Sequence, residues 1–269
     1  MPSALAIEPG HDEEVTFDAY TDAAGNSELA RRMLTPLTAE QVAQRVAATG
    51  VRVTDQAIDL TSERFRIYVP RRQPERGYGV LVFISPFDDD RVPRGWSEVL
   101  DAHGMIFVSA ARSGNRESPL GRREPLALLA AHNVLQRYRV DRGRVAIGGL
   151  SGGARIAMRL ALAYPDLFGA ALLDAGSDPL GGLEIPIPPR ALFERFRRQS
   201  KIVYLTGSRD DANMSLAHES IASMRHWCVA NVVAQTIVGL GHAYAPASAF
   251  SQALDAIDDA RREAPDPDC

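Results

Sequence analysis

Mostly apolar runs punctuate the chain: Val80-Leu81-Val82-Phe83-Ile84, Met105 to Ala110, Val145-Ala146-Ile147, Ala170 to Leu173, Lys201 to Thr206 and the β-branched run Val232 to Val238. Runs of this length without polar alternation read as strands covered on both faces. Between them lie helix-compatible stretches, among them Glu124 to Arg139 and Ala154 to Ala163. The alternation predicts an α/β domain with a mostly parallel central sheet of about eight strands and helices on both faces. Ala57 to Leu60 and Arg64 to Val69, separated by a polar turn, are expected to form its antiparallel edge. Residues 1 to 26 read as poorly ordered, and Thr38 with Gln41 is the expected capping box of a helical region carrying Val42 and Val46. No internal repeat is visible.

Composition narrows the class. A chain of 269 residues with 45% hydrophobic content can bury one large core. A formal net charge of -4 gives no sign of nucleic-acid binding, and the short clusters Arg71-Arg72 and Arg195-Phe196-Arg197-Arg198 read as solvated faces. No stretch is long enough to span a bilayer, and the acidic opening from Met1 to Glu14 lacks an apolar export core, so a cytoplasmic protein is expected. The two cysteines, Cys228 and Cys269, agree with a reducing compartment, one as a buried thiol and one ending the chain. Nothing in the sequence indicates a homo-oligomer.

Gly149-Leu150-Ser151-Gly152-Gly153 places a serine at a tight corner between a strand and a helix. Such a corner holds the hydroxyl exposed on a strained backbone, the geometry of a nucleophile elbow. The bland alternative is a glycine-rich connection with no chemistry. A serine hydroxyl needs a base, and six histidines are available. His103, His132, His218 and His226 fall in helical segments, and His11 lies in the acidic start. His242, in Gly239-Leu240-Gly241-His242-Ala243-Tyr244, follows a strand and can reach a neighbouring strand tip. The acid that orients the imidazole is sought after a strand between Ser151 and His242. Gly207-Ser208-Arg209-Asp210 follows the strand just before the one leading to His242, which favours Asp210, with Asp211 and Asp174 as rivals. A turn or helix-cap aspartate is the bland reading of the same residue.

In that order, these motifs resemble the α/β-hydrolase superfamily over most of residues 52 to 260. The run Asp141 to Gly153 followed by Tyr164-Pro165-Asp166-Leu167-Phe168 is similar to compact esterases of the polyhydroxybutyrate depolymerase and feruloyl esterase type. The resemblance implies an α/β-hydrolase fold with an N-terminal extension and helical region over 1–50, a catalytic domain over 51–262 and a flexible tail over 263–269. It also implies an oxyanion hole, built from the N–H of Gly152 and an N–H from Ser85-Pro86-Phe87. Pro86 has no N–H, so Phe87 is the expected donor, with Ser85 beside it. The implied activity is ester hydrolysis of a small or medium-sized substrate through an acyl-enzyme on Ser151, without cofactor or metal. Peptidase or thioesterase action by the same residues is the nearest rival, and a hydrolase-like ligand-binding protein without turnover is the rival from another class.

Three further segments border this chemistry. Asp88-Asp89-Asp90 reads as a solvated acidic loop rather than a cation site, for want of partner ligands at a recognisable spacing. Ser113-Gly114-Asn115 is expected at the same end of the sheet as Ser151. Residues 177–189, with Leu180, Leu183, Ile185 and Ile187 among Gly and Pro, suit either a cap over the site or a loop packed on the protein's own helices.

Overall fold

The fold is taken from a computed structural model, in which residues 7–50, 54–182 and 184–259 are described. Its strands are β1 (Asp12–Val15), β2 (Phe65–Tyr68), β3 (Tyr78–Ile84), β4 (Met105–Ala110), β5 (Val140–Leu150), β6 (Ala170–Asp174), β7 (Lys201–Gly207) and β8 (Asn231–Ile237). They form one sheet in the order β1-β2-β4-β3-β5-β6-β7-β8. β3 to β8 pair in parallel, while β2 runs antiparallel to both β1 and β4. Every residue of β3 and β4 is buried, the consequence of uninterrupted apolar runs in central strands.

The period of two along each strand divides the core between the two faces. Val80, Val82, Ile147 and Leu173 face a layer that includes α4 (Glu124–Arg137) and α5 (Gly152–Ala163), with Leu126, Leu129, Ile156 and Leu160 packed among them. Phe193 and Phe196 of α6 (Arg190–Gln199) and Met224 of α7 (Asp211–His226) extend that layer. Leu81, Phe83, Phe107 and Val203 face α3 (Trp96–His103) and α8 (Ala247–Asp258). There the Trp96 ring stacks on Phe250 with centroids 3.7 Å apart. α1 (Asn26–Met33) adds Leu29 and Met33 to the first layer, whereas α2 (Pro36–Thr49) buries no residue fully.

The front of the chain departs from expectation. Asp12–Val15 is a strand, and it closes the edge by pairing with β2 through Val15↔Phe65. Val15 and Phe17 turn inward, and Phe17 packs on Phe65. The outer strand of a sheet needs only such a half-apolar pattern, so its acidic residues mask it. Ala57 to Leu60 is not a strand; a 3-10 turn over Leu60–Ser62, capped by Asp59, leads into β2 instead. The cap of α2 is Thr35, whose hydroxyl accepts the Thr38 N–H, with Pro36 at the first helical position. Thr38 therefore lies inside the helix and not at its cap.

The described residues of 177–189 pack on the protein's own helices. Leu180 and Ile185 are buried in the core, the Leu180 N–H donates to Ser223 Oγ on α7, and Ile185 and Pro186 lie beside Leu162 of α5. Leu183, the tail over 263–269 and Cys269 lie outside the described residues. Cys228 is half-buried and disulfide-bonded, which differs from the reduced, buried thiol expected. Among the described residues, no helix is long and apolar enough to cross a membrane.

Candidate active site

The carboxyl ends of β5, β7 and β8 converge on one edge of the sheet, and each delivers a side chain to it. Ser151 stands between β5 and α5 with φ 57° and ψ -122°, a conformation that side chains other than glycine rarely adopt. Two neighbours make so sharp a corner feasible. A Cβ on Gly149 would lie 2.4 Å from the Gly153 carbonyl carbon, and one on Gly153 would lie 1.9 Å from the Ile84 carbonyl oxygen of β3. Only glycine fits either place, so the motif is read directly by its packing.

His242 reaches this corner from the loop after β8. Its Nε2 is 3.0 Å from Ser151 Oγ, and its Nδ1 is 2.6 Å from Asp210 Oδ2. With the ring proton on Nδ1 donated to the carboxylate, Nε2 presents its lone pair to the serine hydroxyl. The side chain of Asp210 is 8% exposed against 46% for His242, so the acid is shielded while the imidazole remains accessible. Asp210 also accepts both of its contacts from Asn213 Nδ2 at 2.9 Å, from the first turn of α7. Burial alone would raise the Asp210 carboxyl, but the hydrogen bonds from Asn213 and His242 outweigh it and hold it below its ordinary range. The carboxyl is therefore an anion at neutral pH.

The rival acids are elsewhere. Asp211 opens α7 and is exposed. Asp174 ends β6, where its Oδ2 accepts the Ala245 N–H at 2.9 Å and its backbone carbonyl accepts the Ser151 N–H at 2.8 Å. It thus braces the corner without touching the imidazole. Two of the helix-borne histidines bond elsewhere: His103 meets Ser251 and Asp258 on α8, and His132 meets Gln136.

Gly152 occupies the first position of α5, where a backbone N–H has no acceptor within its own helix. The Phe87 N–H instead donates to Ser85 Oγ at 3.1 Å, and that hydroxyl lies 3.5 Å from Tyr244 Oη. The Phe87 ring is 57% exposed, an apolar surface on the loop after β3. The acidic loop beyond it is paired with arginines: Asp88 with Arg116, Asp89 with Arg91 and Asp90 with Arg66. Asp90 is buried, which departs from the fully solvated loop expected.

Sequence reasoning passed over Asn213 as a site residue, although an asparagine three positions after the acid at a helix start is a readable signal. It also missed Trp96, whose Nε1 donates to the Ala245 carbonyl at 2.9 Å and holds the His242 loop from below. That contact joins residues 149 positions apart and leaves no local trace.

No protein-family model matches the chain, and no curated protein sequence matches it. Solved structures do. A ferulic acid esterase is similar with a TM-score of 0.56 and 21% identity, over 72% of this chain and 91% of its own. The S-formylglutathione hydrolase FrmB from Staphylococcus aureus gives a TM-score of 0.59 and 14% identity, over 72% and 92%. FphF, a fluorophosphonate-binding serine hydrolase of Staphylococcus aureus, gives 0.59 and 14%, over 73% and 93%. With the sheet order above, the likeness establishes the α/β-hydrolase fold.

Proposed function

We propose that the protein is a serine hydrolase that cleaves a carboxylic ester of a small or medium-sized molecule through an acyl-enzyme on Ser151. The observation that carries this reading is the continuous line Ser151 Oγ, His242 and Asp210, with separations of 3.0 and 2.6 Å. In the first step His242 Nε2 takes the hydroxyl proton as Ser151 Oγ bonds to the substrate carbonyl carbon, and the carbonyl electron pair moves onto oxygen. Asp210 stabilises the imidazolium and fixes its tautomer. The oxyanion is met by the Gly152 N–H and by the Phe87 N–H once the latter exchanges Ser85 Oγ for the substrate oxygen. Collapse expels the alcohol, which receives the proton from His242. Water, deprotonated by the same nitrogen, then attacks the acyl-enzyme and releases the acid and the free serine.

The exposed Phe87 ring supplies an apolar surface beside this line. Likeness to a ferulic acid esterase in fold supports an ester as the substrate class. A second reading, thioester hydrolysis, is favoured by the likeness to an S-formylglutathione hydrolase and uses the same side chains.

A fluorophosphonate probe tests the reading. Covalent labelling of the native protein that disappears in Ser151→Ala supports it, and a well-folded native protein that resists labelling rules it out. Relative kcat/KM on an oxygen ester and a thioester with the same acyl group then separates the two substrate classes, and turnover of matched amides would point to a peptidase.

A further inference from the structure

We propose that Arg123 is a positioning residue for the oxyanion corner, tying together the three segments whose relative placement sets where the substrate oxygen can sit. The inference rests on the hydrolase reading above. Arg123 ends the π turn Pro119–Arg123 that precedes α4, and it is only 4% exposed. Its guanidinium donates from Nε to the Ser113 carbonyl at 2.8 Å, from Nη2 to the Ser85 carbonyl at 3.2 Å and from Nη1 to the Gly152 carbonyl at 3.4 Å. Those carbonyls belong to the loop after β4, the loop after β3 and the first residue of α5. A planar group with a fixed fan of donors suits three acceptors at set angles, where an ammonium does not.

The three segments also interlock through Asn115. Asn115 N–H donates to the Pro86 carbonyl at 2.9 Å, and the Asn115 carboxamide lies so close over Gly152 that a Cβ there would be 2.2 Å from its Oδ1. Ser85, whose carbonyl Arg123 holds, is also the residue whose hydroxyl receives the Phe87 N–H. The adjacent Glu124 carboxylate is engaged by Arg159 at 2.7 Å. Arg123 thus spends its donors on backbone oxygens and not on a carboxylate. A buried cation in that arrangement is poorly explained by stability alone, because its desolvation outweighs the through-space attraction of Glu124, and no carboxylate accepts its hydrogen bonds. Its placement makes sense for a corner that must hold two N–H donors near 3 Å from an oxygen that becomes charged in reaction, with positive charge behind them.

The test compares native protein with Arg123→Gln, Arg123→Lys and Arg123→Ala on a soluble aryl ester, well below each variant's Tm. For Arg123→Gln the expected result is a kcat lower by about ten- to a hundredfold with KM within about threefold, and fluorophosphonate labelling slowed in proportion. Arg123→Lys keeps the charge and folds more readily, and it is expected to recover only part of the loss. Millimolar guanidinium is expected to raise kcat of Arg123→Ala and leave the native protein unchanged. A purely structural role predicts a lower Tm with unchanged kcat and no response to guanidinium, and that result overturns the proposal. Should Arg123→Gln not fold, Arg123→Lys carries the same comparison: native kcat in a folded lysine variant overturns it. Absence of labelling and turnover in the native protein instead removes the hydrolase reading itself.

Discussion

Asp174 accepts the Ala245 N–H through its side chain and the Ser151 N–H through its backbone carbonyl, so one buried residue joins the serine corner to the loop carrying His242. Burial pushes its carboxyl up to about 7, opposed only by the Ala245 hydrogen bond. A carboxyl raised above its unfolded value favours folding in its protonated form. Its contribution is complete below about pH 4 and is lost as pH rises through about 7. Asp174→Asn keeps an acceptor for Ala245 and cannot ionise. The expected outcome is a difference in Tm that moves in favour of the variant between pH 4 and pH 8, read by thermal unfolding across that range. A difference that does not vary with pH would contradict the assignment.

Asp210→Asn is expected to lower kcat by about a thousandfold or more, because the amide cannot stabilise the imidazolium and disturbs its tautomer. Asp211→Asn, on an exposed side chain, is expected to stay within about twofold. Steady-state kinetics on both variants decides between the neighbouring acids. Asn213→Ala removes the hydrogen bonds that offset burial of Asp210, so the Asp210 carboxyl is expected to titrate at higher pH in the variant than in the native protein, read by NMR of its carboxyl carbon.

Glu124 and Arg159 form an ion pair at 2.7 Å, in which Arg159 is half-buried and Glu124 fully enclosed. Burial raises its carboxyl, and the Arg159 and Arg123 charges oppose that rise. Arg159→Met strands the carboxylate and is expected to cost about 3–5 kcal/mol at neutral pH, measured by urea unfolding. The loss should grow with rising pH, since a group whose affinity for the proton is raised in the native state destabilises it when deprotonated. Adding Glu124→Gln is expected to restore part of the loss.

Gly153→Ala would push a methyl into the Ile84 carbonyl of β3. Backbone cannot give way as a flexible side chain does, so a destabilisation of about 2 kcal/mol or more is expected. Activity should fall further than stability, because α5 and the loop after β3 separate at the substrate oxygen. Unfolding and kcat measured on one preparation check both.

The central strands were legible because their residues meet apolar neighbours on both sides: Val80 to Ile84 and Met105 to Ala110 need no knowledge of the fold to be read. Ser151, Asp210 and His242 were also legible, as each follows an apolar run at a turn and the three meet in the structure. The labelling and kinetic experiments above test the catalytic roles proposed for them. β1 was hidden, since an outer strand with solvent on one side tolerates Asp12, Glu13 and Glu14. Thr35 was passed over because Thr38 has the same chemistry and only the backbone geometry at Pro36 decides which one caps. Arg123 carried no signal at all. Its role depends on carbonyls from residues 85, 113 and 152, and carbonyls have no sequence.

The positive φ of Ser151 has a bearing on directed evolution. Glycine is the residue most at ease in that backbone conformation, so the mutation that most simply relaxes the corner is Ser151→Gly, which deletes the hydroxyl. A library screened for folded yield or heat resistance alone would be drawn toward that dead end, and only a screen that also counts turnover would keep the tense corner in place.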